Sequence, residues 1–248
     1  MQSLSKNDLK HEINLLISCL DLTSLNDDDT EQSILNLCDK ATQYGNVASV
    51  CVNPKFVSLA KAKLLDTPIN VCTVVNFPKG SADITTTVQE IKKAISAGAN
   101  EIDMVMPYYL IPDNEFEKAR QYTHTCRTAC GPDITLKVII ESGELKNREN
   151  IRLASQIAID AGANFIKTST GKVPINATPE AAQIMLEVIR ESNKPIGFKA
   201  SGGIKTFEDA EQYLRYAYEI MGEDWVNPKT FRIGASSLLQ DLVSHVNC

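Results

Sequence analysis

The feature that most constrains the fold is a repeat of short apolar runs separated by longer segments with helical periodicity. The runs contain four to six residues each and recur roughly every 30 residues. Continuous apolar runs are typical of strands that are buried on both faces of a parallel sheet. The predicted strands are Cys19–Thr23, Ala48–Val52, Asn70–Val75, Glu101–Met106, Thr135–Ile140, Asn164–Thr168, Pro195–Lys199 and Phe231–Gly234. The predicted helices between and after them are 30–43, 54–65, 80–97, 113–130, 145–161, 178–191, 206–221 and 236–246.

Strict alternation of strand and helix predicts an α/β protein with a parallel sheet. Eight units in 248 residues favour a closed (β/α)8 (TIM) barrel that fills residues 1–248 as one domain. An open doubly wound sheet ordinarily has fewer units and an early glycine-rich fingerprint, and no G-x-G-x-x-G occurs here. A further helical segment, 6–17, precedes the first strand. We therefore expect a barrel with an extra N-terminal helix.

Charge and hydropathy exclude several classes of partner. The net charge is -6, so bulk charge does not favour binding to nucleic acid or to an anionic membrane. The apolar runs are too short to span a bilayer, and the N-terminal segment lacks the apolar core of a signal peptide. The seven cysteines are odd in number and contain no Cys-x-x-Cys, which indicates reduced thiols. Together these features predict a cytoplasmic protein.

Three consecutive predicted strands carry a lysine inside an apolar run. Lys137, Lys167 and Lys199 lie on strands that are roughly 5 Å apart, so their amines can meet. Buried like charges repel one another, and the repulsion is relieved if one lysine is neutral at pH 7. A neutral lysine is a nucleophile towards carbonyl carbon. Lys167 also begins the polar sequence KTSTGK, whose hydroxyls, glycine and second cation suit an oxyanion.

The catalytic residues of a (β/α)8 barrel lie at the C-terminal ends of its strands. Besides the three lysines, the polar residues assigned to those ends are Asp21, Asn76 and Asp103. Asp103 lies in the apolar run IDMVM and is the nearest candidate for a carboxylate that moves protons.

Two loops rich in glycine and serine follow the last two predicted strands. Residues 200–206 read ASGGIKT and residues 234–237 read GASS. Glycine lets backbone N–H groups approach an anion, and the N-terminus of a helix favours negative charge. The loops after strands seven and eight are a recurrent phosphate site in barrels. We therefore predict a phosphate site; turn glycines with a serine cap are the structural alternative.

The sequence contains no cluster of residues with metal-ligand spacing, so neither a metal nor another cofactor is predicted. His11, His124 and His245 are scattered through segments with helical periodicity. Cys51, near a predicted strand end, could meet a reactive substrate aldehyde, although a buried structural role is the favoured interpretation.

Seven motifs run along nearly the whole chain in a fixed order. They are LDLTSLNDDDT, TVVNFP, EIDMV, LKVIIESGEL, FIKTSTGK, GFKASGGIKT and RIGASSL. In this combination the sequence resembles the deoxyribose-phosphate aldolase family. The resemblance implies a (β/α)8 fold and reversible cleavage of 2-deoxy-D-ribose 5-phosphate to D-glyceraldehyde 3-phosphate and acetaldehyde, without a metal. Two departures are Lys205, where some relatives have arginine, and the absence of a longer tail ending in tyrosine.

The resemblance also implies a role for individual residues. Lys167, the lysine of FIKTSTGK, would form the Schiff base, and Lys199, the lysine of GFKASGG, would perturb it. Asp103 would shuttle protons, with Asp21 and Lys137 completing the polar network. The residues implied to bind the substrate phosphate are Gly171, Lys172, Gly202, Gly203, Gly234, Ser236 and Ser237.

Two alternatives to this function remain open at the level of the sequence. Another Schiff-base barrel enzyme, such as a transaldolase-like transferase, would share Lys167 but use a different acceptor. A non-catalytic phosphosugar-binding barrel would bind its ligand without covalent trapping. The sequence does not determine the oligomeric state, and a homo-oligomer is possible.

Overall fold

The computed structural model describes residues 6–44 and 47–246, and strands alternate with helices along this part of the chain. The strands are β1 (Leu20–Ser24), β2 (Ser49–Val52), β3 (Asn70–Val75), β4 (Glu101–Val105), β5 (Thr135–Ile139), β6 (Phe165–Lys167), β7 (Gly197–Ser201) and β8 (Phe231–Ala235). The helices are α1 (Lys6–Ser18), α2 (Glu31–Gln43), α3 (Val57–Lys63), α4 (Ile84–Ser96), α5 (Phe116–Cys130), α6 (Ser142–Leu145), α7 (Arg148–Asp160), α8 (Pro179–Ser192), α9 (Phe207–Met221) and α10 (Leu238–Val246).

The strands form one closed parallel barrel in which each strand pairs with its neighbours in chain order. β1 closes the barrel against β8, with Leu20 opposite Ile233. α1 precedes the first strand and packs against α10. The predicted (β/α)8 barrel with an extra N-terminal helix is therefore confirmed.

The helices begin at local signals that the sequence carries. The Thr178 hydroxyl accepts a hydrogen bond from the backbone N–H of Ala181 at the start of α8. Thr206 and Asp209 form a reciprocal capping box at the start of α9. Such caps satisfy N–H groups that no helical carbonyl reaches. Within the described ranges, no helix is both long and apolar enough to cross a membrane.

Several predicted boundaries differ from the structure by a few residues. The predicted helix 54–65 begins as a 3-10 turn and continues as α3. The predicted helix 145–161 begins only at Arg148, as α7, because Lys146 adopts a left-handed φ of 64° and separates it from the short α6. β7 begins at Gly197 and not at Pro195, since proline has no N–H to donate to a strand ladder. This shift places Lys199 in the middle of β7.

The apolar core lies between the barrel and the helices, while the inside of the barrel is polar. Successive residues of a strand point to opposite faces. On β7 and β8, Phe198 and Phe231 are register partners with ring centres 6.2 Å apart and belong to the apolar core. The alternate positions on the same strands carry Lys199 and Arg232. The strands therefore present charge on one face and hydrocarbon on the other.

Gly197 is the point at which the side chain of Phe165 crosses β7. A Cβ atom at position 197 would lie 2.3 Å from the Phe165 ring. In Gly197→Ala the ring must move against Arg232, whose guanidinium lies 5.5 Å from the ring centre. We expect the free energy of unfolding, measured in urea, to fall by about 1–3 kcal/mol.

The double variant Gly197→Ala/Phe165→Leu tests the cause of this loss. The smaller leucine side chain makes room for the new methyl group. The losses in free energy of unfolding of the two single variants should therefore sum to more than the loss in the double variant. Strict additivity would mean that the contact between the ring and residue 197 is not responsible.

Candidate active site

Seven charged side chains fill the interior of the barrel, and all of them are buried. They are Asp21 on β1, Glu101 and Asp103 on β4, Lys137 on β5, Lys167 on β6, Lys199 on β7 and Arg232 on β8. We call this set the interior charge network. Lys167 is the last residue of its strand, at the C-terminal end to which the sequence assigned it, but the other members lie within their strands and not at the C-terminal ends.

Asp103 is the common partner of the three lysines. Its Oδ2 atom accepts hydrogen bonds from Lys167 and Lys199, at 2.7 Å each, and its Oδ1 atom accepts one from Lys137 at 2.9 Å. Burial by itself would raise the pKa of Asp103, but Lys137, Lys167 and Lys199 outweigh it and hold that pKa well below its usual range. Asp103 is therefore an anion around which the three amines converge.

The expected repulsion between the lysines is present, since Lys137 acts to lower the pKa of Lys199, but carboxylates between the amines outweigh it. Burial disfavours the charge on Lys199, yet Asp103 and Asp21 raise its pKa above the ordinary lysine value. Its Nζ atom lies 2.5 Å from Asp21 Oδ2. For Lys137, too, burial lowers the pKa and Asp103 raises it. The carboxylates outweigh burial, so the pKa of Lys137 lies well above the ordinary lysine value. Lys137 and Lys199 are thus held as cations.

Glu101 and Arg232 are members of the network that the sequence analysis missed. Arg232 donates to Asp21 Oδ1 at 2.5 Å and to Glu101 Oε1 at 2.9 Å. Glu101 also lies 2.5 Å from the Lys137 amine. A signal for Glu101 was present, because it precedes Asp103 by two positions and must share its inward face.

A cavity of about 210 Å³ opens beside Lys167, which lines it. Six of the seven residues predicted to bind phosphate also line this cavity: Gly171, Lys172, Gly202, Gly203, Gly234 and Ser236. Lys205 is a further lining residue and brings a second cation besides Lys172. The structure thus places Lys167 and the glycine-containing loops around one cavity.

Two predicted site residues lie elsewhere. Ser237 directly precedes α10 and lines a neighbouring groove beside Leu22 and Tyr44. Asn76 donates its side-chain amide to the Val105 carbonyl, and it accepts from a backbone N–H in the following loop. Asn76 therefore holds the turn after β3 and takes no part in the cavity beside Lys167.

Gly234, which the sequence assigned to phosphate binding, also makes room for the Lys199 side chain. A Cβ atom at this position would lie 2.9 Å from Cε of Lys199 and 3.1 Å from Cβ of Ser201. Absence of a side chain at residue 234 thus allows the Lys199 side chain to extend across β8 towards Asp21.

Glu141 supports the loop that follows Lys167. It is buried, has a left-handed φ of 51°, and accepts a hydrogen bond from the backbone N–H of Thr170 at 3.2 Å. Burial raises the pKa of this carboxyl above the ordinary glutamate value. No sequence signal pointed to this contact, because it joins the loops after β5 and β6.

Two cysteines adjoin the interior charge network and, with Asp103, form a group of side chains that could hold a metal ion. The Sγ atoms of Cys51 and Cys72 and a carboxylate oxygen of Asp103 all lie within 4.8 Å of one another. The three residues belong to three neighbouring strands, so their spacing along the chain gives no signal. Six of the seven cysteines fall in the described ranges, and all six are buried and unpaired; Cys248 lies outside those ranges.

A family model described as DeoC/LacD family aldolase matches residues 15–243. The chain belongs to the DeoC/LacD aldolase family. Membership of an aldolase family indicates a lyase that acts on a carbon–carbon bond.

Solved structures named as aldolases share the whole fold. A "putative deoxyribose-phosphate aldolase" from Coccidioides immitis is 29% identical, with a TM-score of 0.84, and the match covers 98% of this chain and 99% of that one. An apo structure with the same description from Toxoplasma gondii ME49 is 26% identical, with a TM-score of 0.88 and coverage of 96% and 97%. A tetrameric deoxyribose phosphate aldolase from Aeropyrum pernix is 24% identical, with a TM-score of 0.76 and coverage of 97% and 98%. At that identity the last comparison supports the fold alone.

Glu101 offers a test of the network that does not depend on catalysis. In Glu101→Gln, Lys137 and Arg232 lose a buried carboxylate, so we expect the free energy of unfolding at pH 7 to fall by about 3–5 kcal/mol. Burial opposes ionisation of Glu101, but Lys137 and Arg232 outweigh it and lower its folded-state pKa below the ordinary 4.5. The stabilising contribution of Glu101 is therefore complete above pH 4.5 and is lost as the pH falls through the folded-state pKa.

The measurement is the free energy of unfolding in urea between pH 3 and pH 7, a range chosen around the usual carboxyl pKa of about 4. The curve of Glu101→Gln should fall less steeply on the acid side than the curve of the parent. Glu149→Gln, at an exposed position of α7, is the matched control and should follow the parent. Parallel curves for Glu101→Gln and parent would contradict the role of Glu101.

Proposed function

We propose that the protein is a class I deoxyribose-phosphate aldolase. It would reversibly cleave 2-deoxy-D-ribose 5-phosphate to D-glyceraldehyde 3-phosphate and acetaldehyde through a Schiff base on Lys167. The observation that carries the proposal is the single cavity that Lys167 shares with Lys172, Gly203 and Ser236. An amine at one side and an anion site at the other match the aldehyde and phosphate ends of such a sugar. The names of the related structures support the same substrate.

Lys167 is the lysine of the network with the fewest carboxylate partners among the described residues. The network contains four cationic and three anionic side chains, so removing one proton leaves equal numbers of charges. Among the described residues, Lys137 lies within 4 Å of three carboxylates, Lys199 of two and Lys167 of Asp103 alone. Lys167 also lines the cavity, where a substrate carbonyl can reach it.

The reaction follows from a neutral amine at Lys167. The amine attacks the C1 aldehyde of the sugar, and loss of water leaves an iminium ion. The positive charge of the iminium accepts the electron pair of the C2–C3 bond as this bond breaks. The C3 hydroxyl must lose its proton in the same step, so that C3 becomes the aldehyde of glyceraldehyde 3-phosphate.

Asp103 is the proposed proton acceptor for the C3 hydroxyl, acting through a water molecule. Its Oδ2 atom faces both Lys167 and Lys199, so the carboxylate lies at the reacting nitrogen and next to a fixed cation. The departing aldehyde leaves an enamine on Lys167. Protonation of the enamine carbon restores an iminium, and its hydrolysis releases acetaldehyde and the free amine.

The phosphate is remote from the bond that breaks, and its role is orientation. Lys172 and Lys205 both line the cavity and supply positive charge. Lys172 also donates to the Leu25 carbonyl at 2.8 Å, which links the loop after β6 to the loop after β1. Binding energy at the phosphate can hold C1 in line with the Lys167 amine.

The alternative functions differ in measurable products. A transaldolase-like enzyme would transfer a larger carbon unit to a sugar acceptor and would release no acetaldehyde. A non-catalytic barrel would bind the phosphosugar without forming an imine. No metal is required in the proposed reaction, because the iminium accepts the electron pair. A cytoplasmic location and a homo-oligomeric state are further parts of the proposal.

Reductive trapping tests the nucleophile. Borohydride added in the presence of acetaldehyde should leave an ethyl group on Lys167, located by peptide mapping. Lys167→Met should abolish the label, because its side chain has no amine. Lys172→Met is the matched control; it removes a second cavity-lining lysine and should still be labelled at Lys167. A label on Lys137 or Lys199 in the parent would refute the assignment.

Ser236→Asp tests the phosphate site. An added negative charge beside the substrate phosphate should lower kcat/KM for the phosphorylated sugar by about 10-fold, or about 1.4 kcal/mol. Ser236→Asn, which has nearly the same shape without the charge, should lower it much less. The unphosphorylated sugar should react equally with both variants. An equal loss for both sugars would assign Ser236 to the fold and not to phosphate binding.

A further inference from the structure

Cys51 and Cys72 form a pair of buried thiols beside the reacting groups. They are register partners on β2 and β3, and both are fully buried. Cys72 Sγ donates a hydrogen bond to Asp103 Oδ1 at 3.2 Å and lies 3.3 Å from the Lys137 amine. The proposed aldolase mechanism uses neither thiol.

The two sulfur atoms and a carboxylate oxygen lie close enough together that small side-chain movements would give them the spacing of a metal-ligand set. Typical bond lengths to Zn²⁺ are about 2.3 Å for thiolate sulfur and about 2.1 Å for carboxylate oxygen, which put neighbouring ligands of a tetrahedral ion about 3.5–3.8 Å apart. The three ligand atoms here lie within 4.8 Å of one another. Two thiolates and one carboxylate suit Zn²⁺ or Co²⁺ better than the hard ions Mg²⁺ and Ca²⁺.

We propose that Cys51, Cys72 and Asp103 form a binding site for a thiophilic divalent cation such as Zn²⁺, and that its occupation inhibits the enzyme. On binding, each thiol releases its proton to solvent, so two positive charges enter the site and two leave. The electrostatic balance of the buried network is thereby kept. The Lys137 ammonium, now beside Cys72, would lie next to a thiolate.

Inhibition would follow because the two oxygen atoms of the Asp103 carboxylate have different partners. Oδ2 faces Lys167 and Lys199, whereas Oδ1 faces Lys137 and Cys72. A cation bound at Oδ1 displaces Lys137 from that atom and withdraws negative charge from the whole carboxylate. Asp103 then becomes a poorer proton acceptor for the substrate hydroxyl.

The cavity gives the ion a route to the thiols. Leu25 lines the cavity and belongs to the same small apolar cluster as Cys51 and Cys72. Its side chain lies in the loop after β1 and retains 8% exposure, whereas both cysteines have none. A rearrangement of this loop would open the site from the substrate side.

Binding is tested first with Co²⁺, under a non-thiol reductant that keeps the cysteines reduced. Thiolate ligands give Co²⁺ an intense near-ultraviolet charge-transfer band, which we expect in the parent at one equivalent of metal. Cys51→Ala and Cys72→Ala should each weaken binding by more than about 10-fold. Cys126→Ala removes a buried cysteine of α5 outside the cluster and should bind like the parent. A parent without the band, or a band retained in both cluster variants, would overturn the proposal.

Inhibition is tested separately, and this part rests on the proposed aldolase function. Zn²⁺ should inhibit acetaldehyde release by the parent and by Cys126→Ala, and EDTA should restore it. Each cluster variant, compared with its own rate without metal, should need more than about 10-fold higher Zn²⁺ for the same inhibition. A Co²⁺ band in a protein that releases no acetaldehyde would refute the aldolase function but would still support the proposed metal-binding site. Equal Zn²⁺ inhibition of cluster variants and parent would refute inhibition through this site.

If Cys72→Ala fails to fold, Cys51→Ala alone decides the binding question. Unlike Cys72, Cys51 has no hydrogen bond to Lys137 within the part of the chain that the structure describes, and its loss removes one of three ligands. Its circular dichroism spectrum should match that of Cys126→Ala. Parent-like Co²⁺ binding by a folded Cys51→Ala would overturn the proposed site.

Discussion

The convergence of three lysines on Asp103 is the interaction on which the rest of the barrel depends. Lys137, Lys167 and Lys199 come from three strands, and their amines lie 2.7–2.9 Å from one carboxylate. In the usual (β/α)8 barrel, branched apolar side chains fill this interior in layers. Here buried charges take that place, and each is tolerable only while its partners remain, because an uncompensated buried ion costs several kcal/mol. The closure of the barrel is therefore also the assembly of the site.

A buried ion network is weak grounds for stability, since well-packed apolar residues of similar volume are often as good or better. Its presence is better explained by what it does to one lysine. Arg232 and Lys137 neutralise Glu101 and share Asp21 with Lys199, which leaves Lys167 as the cation with the fewest carboxylate partners. Within the described residues, Asp103 is the one carboxylate that pairs with the amine at the cavity, which supports the proposal that Lys167 is the nucleophile. A cost in stability that serves function is common at functional sites.

The sequence predicted the fold and most of the site because both depend on signals with a short period. Apolar runs at regular intervals gave the barrel, and a charge within such a run identified Lys137 and Lys199. Glu101 and Arg232 were missed because each lies near the start of its strand, where a charge is usually solvated. Both are buried inside the closed barrel, where Arg232 of β8 pairs with Glu101 of β4 and with Asp21 of β1. Pairing across the closure is a long-range property that no local pattern contains.

Closure of the barrel also explains why the spacing of residues along the sequence did not indicate the thiol pair. Cys72 and Asp103 are 31 residues apart in the chain but lie on paired strands, and Cys51 is the register partner of Cys72 on the next strand. Metal-binding motifs are recognised when the ligands lie close together in sequence, whereas a parallel barrel brings together residues that are a whole βα unit apart. Because Asp103 joins Cys72 on one oxygen to Lys167 on the other, a ligand on the thiol side would act on the proposed nucleophile through a single carboxylate. No conformational change of the barrel is needed to connect them.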